Sequence, residues 1–504
     1  MCAQSKPREN RAAAVVALAI AVLLAGPAVA AAQEMTDQAI ADKIDDELIY
    51  DRAVPSDAID VTVNEGVVTL TGTVSNLLAK ERAGRLAETV KGVRSVVNRI
   101  QVEVTEDVSD DALQRRVEAA LLSDPATDSY EISVDAREGV VTLKGTVQSW
   151  TEKQLAAKVA KGAKGVRGIN NKIEVRYEVE RTDAEIMAEV QKALRWDALV
   201  DHALIDVEVN DGVVALSGVV GSASEKRRAE YNAWVTGVES VEAEKLNVER
   251  WARDEELRKD KYTVRSAEDI EEALKDALTY DPRVLSFNVT PEVSGSTVTL
   301  RGVVDNLKAK RAAEQVAKNT VGVTYVTNRL KVRPVEDLSD QEVAEDVRNA
   351  LVRDPYVDRY EISVSVVDGT AYLSGTVDSY FEKWQADDIA SRVNGVVTVR
   401  NNLDVDFLGP MAYDPYVDEE YPYVYEWYDY TPTYTFETDA EVKDHVEREL
   451  WWSPFVDRDD VNIAVDDGRV TLTGSVESWS EFNAATEEAY EGGATWVDND
   501  LTVE

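Results

Sequence analysis

The chain has 504 residues, with 96 acidic and 55 basic side chains and a formal charge of −41. That balance excludes wholesale nucleic-acid binding, which needs clustered Lys and Arg against phosphate, and it gives a well-solvated, self-repelling surface. With 44% apolar residues, most of the chain can bury cores, enough for several domains at about 150 residues each.

Residues 1–32 read as a secretory signal peptide. Lys6, Arg8 and Arg11 precede an apolar run, Ala12 to Leu24, that is too short for a membrane span. Gly26 and Pro27 break it, and the small residues Ala28 to Ala32 place cleavage after Ala30 or Ala32. The one cysteine, Cys2, lies upstream of the apolar run. The exported chain therefore has no disulfide, no lipid-modifiable cysteine at the cleavage site, no thiol nucleophile and no cysteine zinc site. No later stretch is long and apolar enough to span a bilayer.

A Val-Thr-Leu-Thr-Gly phrase ends at Gly72, and related phrases end at Gly145, Gly218, Gly302, Gly375 and Gly474. Thr36, Ser109, Thr182, Ser266, Ser339 and Thr438 each stand 36 residues before one of these glycines. This fixed offset marks six copies of one unit of about 70 residues, longer than a solenoid repeat, and predicts small separate domains on a string. The units run 36–104, 109–177, 182–250, 265–333, 339–406 and 438–504. Most joints are short; the longer ones are 251–264, a mixed-charge stretch with the composition of a helical extension, and 407–437.

Within a unit the Ser or Thr is a helix cap, and Glu185, Glu342 and Glu441 complete capping boxes in three copies. Apolar residues follow at every fourth position, as in Ile40, Ile44 and Leu48. Asp124-Pro125, Asp281-Pro282, Asp354-Pro355 and Ser453-Pro454 stop the helix. Two alternating strands come next, joined by a tight turn at Gly66, Gly139, Gly212, Gly369 or Gly468, where positive φ is needed. The fourth copy has Ser296 there and Gly295 one place earlier, so its turn should differ in type. The second strand is expected to end at the marker glycine. A second helix, about Asn76 to Lys91 in the first copy, is expected to end at Gly92 and its counterparts. The last strand reads Asn98-x-Ile100-x-Val102, with Glu244 replacing the Asn in the third copy. The fold class is α+β: six tandem αββαβ domains, each a three-stranded sheet with two helices on one face.

These residues, the Gly66 turn, Val68 to Gly72, Gly92-Val93 and the Asn98 to Val102 strand with their counterparts, resemble the BON domain family (bacterial osmotically inducible protein Y and nodulation domain). The resemblance covers almost the whole exported chain. It implies export to the periplasm and a link to envelope integrity, osmotic stress and attachment to phospholipid surfaces. The family has no catalytic residue set to carry over.

Two stretches are candidate binding surfaces. The second helices are basic in several copies: Lys153, Lys158, Lys161 and Lys164; Lys226, Arg227 and Arg228; Lys308, Lys310 and Arg311. Such helices either meet anionic lipid headgroups or form ordinary solvated faces that balance the acids. The joint 407–437 carries Tyr421, Tyr423, Tyr425, Trp427, Tyr428 and Tyr430, with prolines and acids and no Lys or Arg. It either docks a partner or wraps its rings over the neighbouring units.

Chemistry is otherwise sparse. His202 and His445 fall in different units, and a general acid or base needs a positioned partner. Gly162, Gly165 and Gly168 follow a helix, the wrong context for dinucleotide binding. No catalytic, cofactor or metal residue is assigned. The sequence predicts a non-enzymatic periplasmic envelope protein that protects against osmotic stress or keeps the envelope intact. It would act as a scaffold or in a chaperone-like way, its repeated weak sites gaining avidity from tethering. Its partners would be envelope proteins; the alternative is a phospholipid-surface binder acting through the basic second helices. The acidic surface also fits adaptation to a salty habitat.

Overall fold

A Ser or Thr hydroxyl caps each of six 14-residue helices, accepting from the backbone N–H three residues on. The protein is described here by a computed structural model covering residues 35–51, 53–104, 108–127, 131–253, 265–284, 288–334, 338–357, 362–405 and 438–503. The first helices are Asp37–Tyr50, Asp110–Ser123, Asp183–Trp196, Ala267–Tyr280, Asp340–Arg353 and Asp439–Trp452. Glu185, Glu342 and Glu441 close their capping boxes. The predicted apolar rows are buried, as at Ile40, Ile44 and Leu48.

In unit 1 the strands Ile59–Asn64 and Val67–Val74 form an antiparallel hairpin. The second helix, Leu77–Glu88, then crosses over. The chain returns parallel to Val67–Val74 as Ser95–Asn98 and Gln101–Val102. All six units repeat this order, with the second strand in the middle of each sheet. Asn98 ties the returning strand to the second helix: its side-chain amide donates to the Lys80 carbonyl at 2.6 Å and its oxygen accepts from Ile100 N. Asn171, Asn328, Asn401 and Asn499 do the same. Where Glu244 replaces the Asn, the strand register shifts between Glu242 and Lys245.

Two local expectations need correction, and a third holds. The marker glycine lies inside the second strand, since Val67–Val74 continues two residues past Gly72 to pair Val74 with Val102. The second helices stop before their glycines, at Glu88 rather than Gly92, because Val90 and Val93 must turn into the core. In unit 4 the turn does differ, as expected: Gly295 has positive φ but Ser296 does not, whereas the other hairpins place two positive-φ residues in succession, such as Glu65 and Gly66. The cause is also visible. Asp37, the residue after the cap, accepts hydrogen bonds from Glu65 N and Gly66 N. Asp183, Asp340 and Asp439 hold their turns likewise, and Asp110 accepts from Gly139 N. Unit 4 has Ala267 at that place.

Each unit keeps its own hydrophobic core, yet the units do not lie on an open string. Leu77 of unit 1 enters the core of unit 2, Ala223 of unit 3 enters that of unit 1, and Leu307 of unit 4 enters that of unit 5. All three are the first residue of a second helix. Trp150 of unit 2 stacks on Trp234 of unit 3, Trp384 of unit 5 packs on the core of unit 6, and Ser480 of unit 6 reaches Asn319 of unit 4. These contacts close units 1–3 into one ring and units 4–6 into another. One hydrogen bond, three times repeated, joins the rings in pairs. Lys91 N donates to the Trp452 carbonyl, Lys164 N to that of Arg353, and Val321 N to that of Trp196. Each acceptor is the last residue of a first helix, whose carbonyl would otherwise lack a partner. Units 1 and 6, 2 and 5, and 3 and 4 are thereby apposed.

Candidate functional site: the interfaces between units

The second helices line the inside of each ring. Their six N-caps, Asn76, Ser149, Ser222, Asn306, Ser379 and Ser478, aim the first turn of each at a neighbouring unit. That placement decides where the basic candidates go. Lys161 pairs with Glu81 of unit 1 at 2.7 Å, and Arg227 with Glu88 of unit 1 at 2.6 Å. Lys308, only 8% exposed, pairs with Asp388 of unit 5, and Arg311 with Asp387 of unit 5 at 2.7 Å. Arg228 binds Asp197 within its own unit at 2.6 Å. Lys164 is held through its backbone, and Lys158 lines the space between the helices of units 1–3. Lys153, Lys226 and Lys310 remain half-buried. Burial disfavours charge on Asp388, but Arg392 and Lys308 beside it outweigh that and hold its carboxyl well below the usual range.

The apposition of units 1 and 6 gathers several buried charges. Lys43 of unit 1 contacts Glu47 at 2.6 Å, Glu449 at 2.5 Å and Glu491 at 3.8 Å. Glu449, Glu488 and Glu491 bring carboxylate oxygens within 4.8 Å of one another. The Lys43 ammonium supplies the positive charge that a metal would bring to this trio. Burial pulls Lys43 toward neutrality, but Glu47, Glu491, Glu449 and Glu488 outweigh it and hold its pKa well above the ordinary lysine value. Burial pushes the Glu488 and Glu491 carboxyls well above the ordinary range, with neighbouring carboxylates adding to the push.

A carboxyl whose pKa is raised by folding binds protons that the unfolded chain does not. Its contribution is fully present below the unfolded value and is lost as pH rises through the folded one. The apposition of units 1 and 6 should therefore tighten in mild acid. Thermal unfolding by circular dichroism should show a higher midpoint near pH 5.5 than near pH 8. Glu491→Gln should add roughly 1–3 kcal/mol at the higher pH and flatten the profile; a variant less stable than the parent at pH 8 contradicts this.

Two cavities adjoin the second helices of the first ring. One, about 420 Å³, lies between the helices of units 1, 2 and 3. The other, about 410 Å³, lies where units 2, 3 and 4 meet. Trp150, Gln154, Tyr231 and Trp234 line both. Sequence reasoning missed the inward role of these helices, because the partner carboxylates in neighbouring units stand 76 residues or more away from the bases. Gly162 caps a helix and Gly168 begins a strand, away from any phosphate-binding context. His202 lies in a short turn of unit 3 and His445 on the first helix of unit 6. The aromatic residues Tyr421, Tyr423, Tyr425, Trp427, Tyr428 and Tyr430 lie outside the described residues, as do 1–34 and 254–264. No helix among the described residues is long and apolar enough to cross a membrane.

A model of the BON domain matches residues 36–104, 109–177, 182–250, 266–334, 339–406 and 438–504. Osmotically-inducible protein Y of Escherichia coli (strain K12) is 38% identical over 141 residues, which cover 27% of this chain and 70% of that protein. A protein of Anaplasma centrale, described as uncharacterized and in the gshII 5′ region, is 34% identical over 146 residues, 28% of this chain and 95% of its own. Among solved structures, CdsD, a structural protein of the type III secretion system of Chlamydia trachomatis, aligns at 16% identity and a TM-score of 0.11, covering 41% of this chain and 91% of that one. Its C-terminal domain aligns at 18% and 0.12, covering 41% and 98%. The repeated αββαβ unit and the six family matches agree: the chain belongs to the BON domain family and carries six copies of its domain.

Proposed function

We propose that this is a non-enzymatic periplasmic protein that protects the envelope under osmotic stress, holding partners through several weak sites on one particle. The observation that carries this reading is the 38% identity to osmotically-inducible protein Y, set in a chain built almost wholly of BON units. The pattern of residues 1–32 supports export. The ring contacts refine how binding would work. With the bases of the second helices turned inward, the surfaces left for partners are the sheet faces opposite the helices. These carry exposed apolar side chains, including Tyr325, Val367 and Tyr372. Each site is weak, and repetition on one body supplies avidity. The aromatic joint 407–437 is a second docking element in this proposal.

The phospholipid reading makes a different demand, since the bases must reach headgroups. Flotation with vesicles containing phosphatidylglycerol, at low and high salt, separates the two. The scaffold reading predicts no flotation, together with cross-linking of envelope proteins to photoreactive residues placed at Tyr325 and Tyr372. Salt-sensitive flotation that disappears in Lys153→Glu/Lys226→Glu favours the lipid reading instead. The absence of any envelope protein cross-linked at either position removes the scaffold reading.

A further inference from the structure

The cavity inside the first ring departs from the charge of the chain around it. In a protein of net charge −41, it is lined by four cations, Arg85, Lys158, Lys161 and Arg227, against three carboxylates, Glu81, Glu88 and Glu230. The pairing inside it is also uneven. Glu81 and Glu88 stand one turn either side of Arg85 on the same helix, the spacing at which they would normally pair with it. Both are taken by neighbours: Glu81 by Lys161 of unit 2 and Glu88 by Arg227 of unit 3. Arg85 is left without a hydrogen bond or ion pair among the described residues, and its Nε is buried with no acceptor. A guanidinium N–H so placed costs free energy until an acceptor reaches it. Burial also holds Glu230 above the ordinary carboxyl range.

The opposite wall is aromatic. Trp150 and Trp234 stack with ring centroids 4.8 Å apart, and Tyr231 meets Trp150 edge-on at 5.4 Å. Behind them lies the second cavity, where the ions are already paired with one another, Lys192 with Asp276 and Arg228 with Asp197. The hollow has a local cause. The second helix of unit 3, Ala223–Asn232, has ten residues where the others have twelve or thirteen. Trp150 stacks on the loop after it instead of entering the next core as Leu77, Ala223 and Leu307 do. Cavities of about 400 Å³ with apolar walls and a few convergent polar groups are the usual form of a small-molecule site.

We propose that the ring of units 1–3 binds a small aromatic acid, its anionic group on Arg85 and its flat body against the Trp150–Trp234 wall. A guanidinium suits a planar carboxylate or a sulfonate, and indole faces suit a flat apolar body. The site stands independently of the envelope reading, and its test uses no partner protein.

The probe is 8-anilinonaphthalene-1-sulfonate, titrated into the full exported chain, with energy transfer from tryptophan to the probe as the signal. One saturable site is expected, with affinity at least tenfold lower in Arg85→Gln and in Trp234→Ala and partly kept in Arg85→Lys. A second arm needs no variant: naphthalene-2-carboxylate should displace the probe at least tenfold better than naphthalene-2-methanol. Equal displacement by acid and alcohol overturns the proposal. So does an Arg85→Gln protein with unchanged thermal unfolding that binds the probe as tightly as the parent, or binding that never saturates.

Discussion

Gly302→Ala is expected to destabilise unit 4 by roughly 3–5 kcal/mol, while Gly295→Ala in the same unit costs only about 1 kcal/mol. Both glycines have positive φ, 128° and 61°. What separates them is space. A Cβ on Gly302 would stand 1.8 Å from the Asn288 carbonyl oxygen, whereas one on Gly295 meets nothing within 4 Å. The obstruction is the backbone leading into the first strand, which cannot swing away as a side chain would. It recurs at Gly72, Gly145, Gly218 and Gly474, where the nearest carbonyl lies 1.9 to 2.4 Å from the built Cβ. The marker glycine thus belongs to the hairpin itself: it lets the start of the first strand lie against the middle strand. Hydrogen exchange across residues 288–304 reads the effect locally. Unchanged protection in Gly302→Ala contradicts it.

The second large effect lies between units 4 and 5. Asp388 there accepts from both Lys308 and Arg392. Asp388→Leu removes the buried carboxylate that Lys308 and Arg392 share and should cost about 3–5 kcal/mol. Replacing Lys308→Met together with Asp388→Leu should recover part of that loss, because a buried pair contributes little net stability beyond apolar packing of similar volume, while Arg392 still loses its contact with Asp388. Denaturant unfolding of the two variants and the parent measures the difference. A single variant as stable as the parent would mean that Lys308 reaches solvent and that the second ring is looser than its contacts indicate.

The unit was legible in the sequence because its signals are local. Caps, capping boxes, the four-residue apolar rows and the turn glycines each act within a few residues, and six copies let each check the others. Ser296 already marked the turn of unit 4 as different, but Ala267, which explains it, was a signal present and unread. Asp follows the cap in five copies, and the one exception falls in the copy whose turn is altered. The closure of the rings was not legible. Leu77, Ala223 and Leu307 look like ordinary apolar positions of an amphipathic helix, and nothing nearby says that they serve a neighbour's core. Lys161, Arg227, Lys308 and Arg311 look like a solvated or lipid-facing stripe, because Glu81, Glu88, Asp388 and Asp387 lie in other units. Only the three-dimensional arrangement brings bases and acids of equivalent helices together, and it turns a list of tethered units into one body with its helices inside.

The most direct test of that arrangement is carbodiimide cross-linking of the monomeric full chain, read by mass spectrometry. This reagent joins an amine to a carboxylate only where they touch. The apposed rings predict a link between Lys43 and Glu449, 406 positions apart in the chain and 2.5 Å apart in space, and the closure of each ring predicts links from Lys161 to Glu81 and from Lys308 to Asp388. Links confined to groups within a single unit, with none from Lys43 to unit 6, would contradict it.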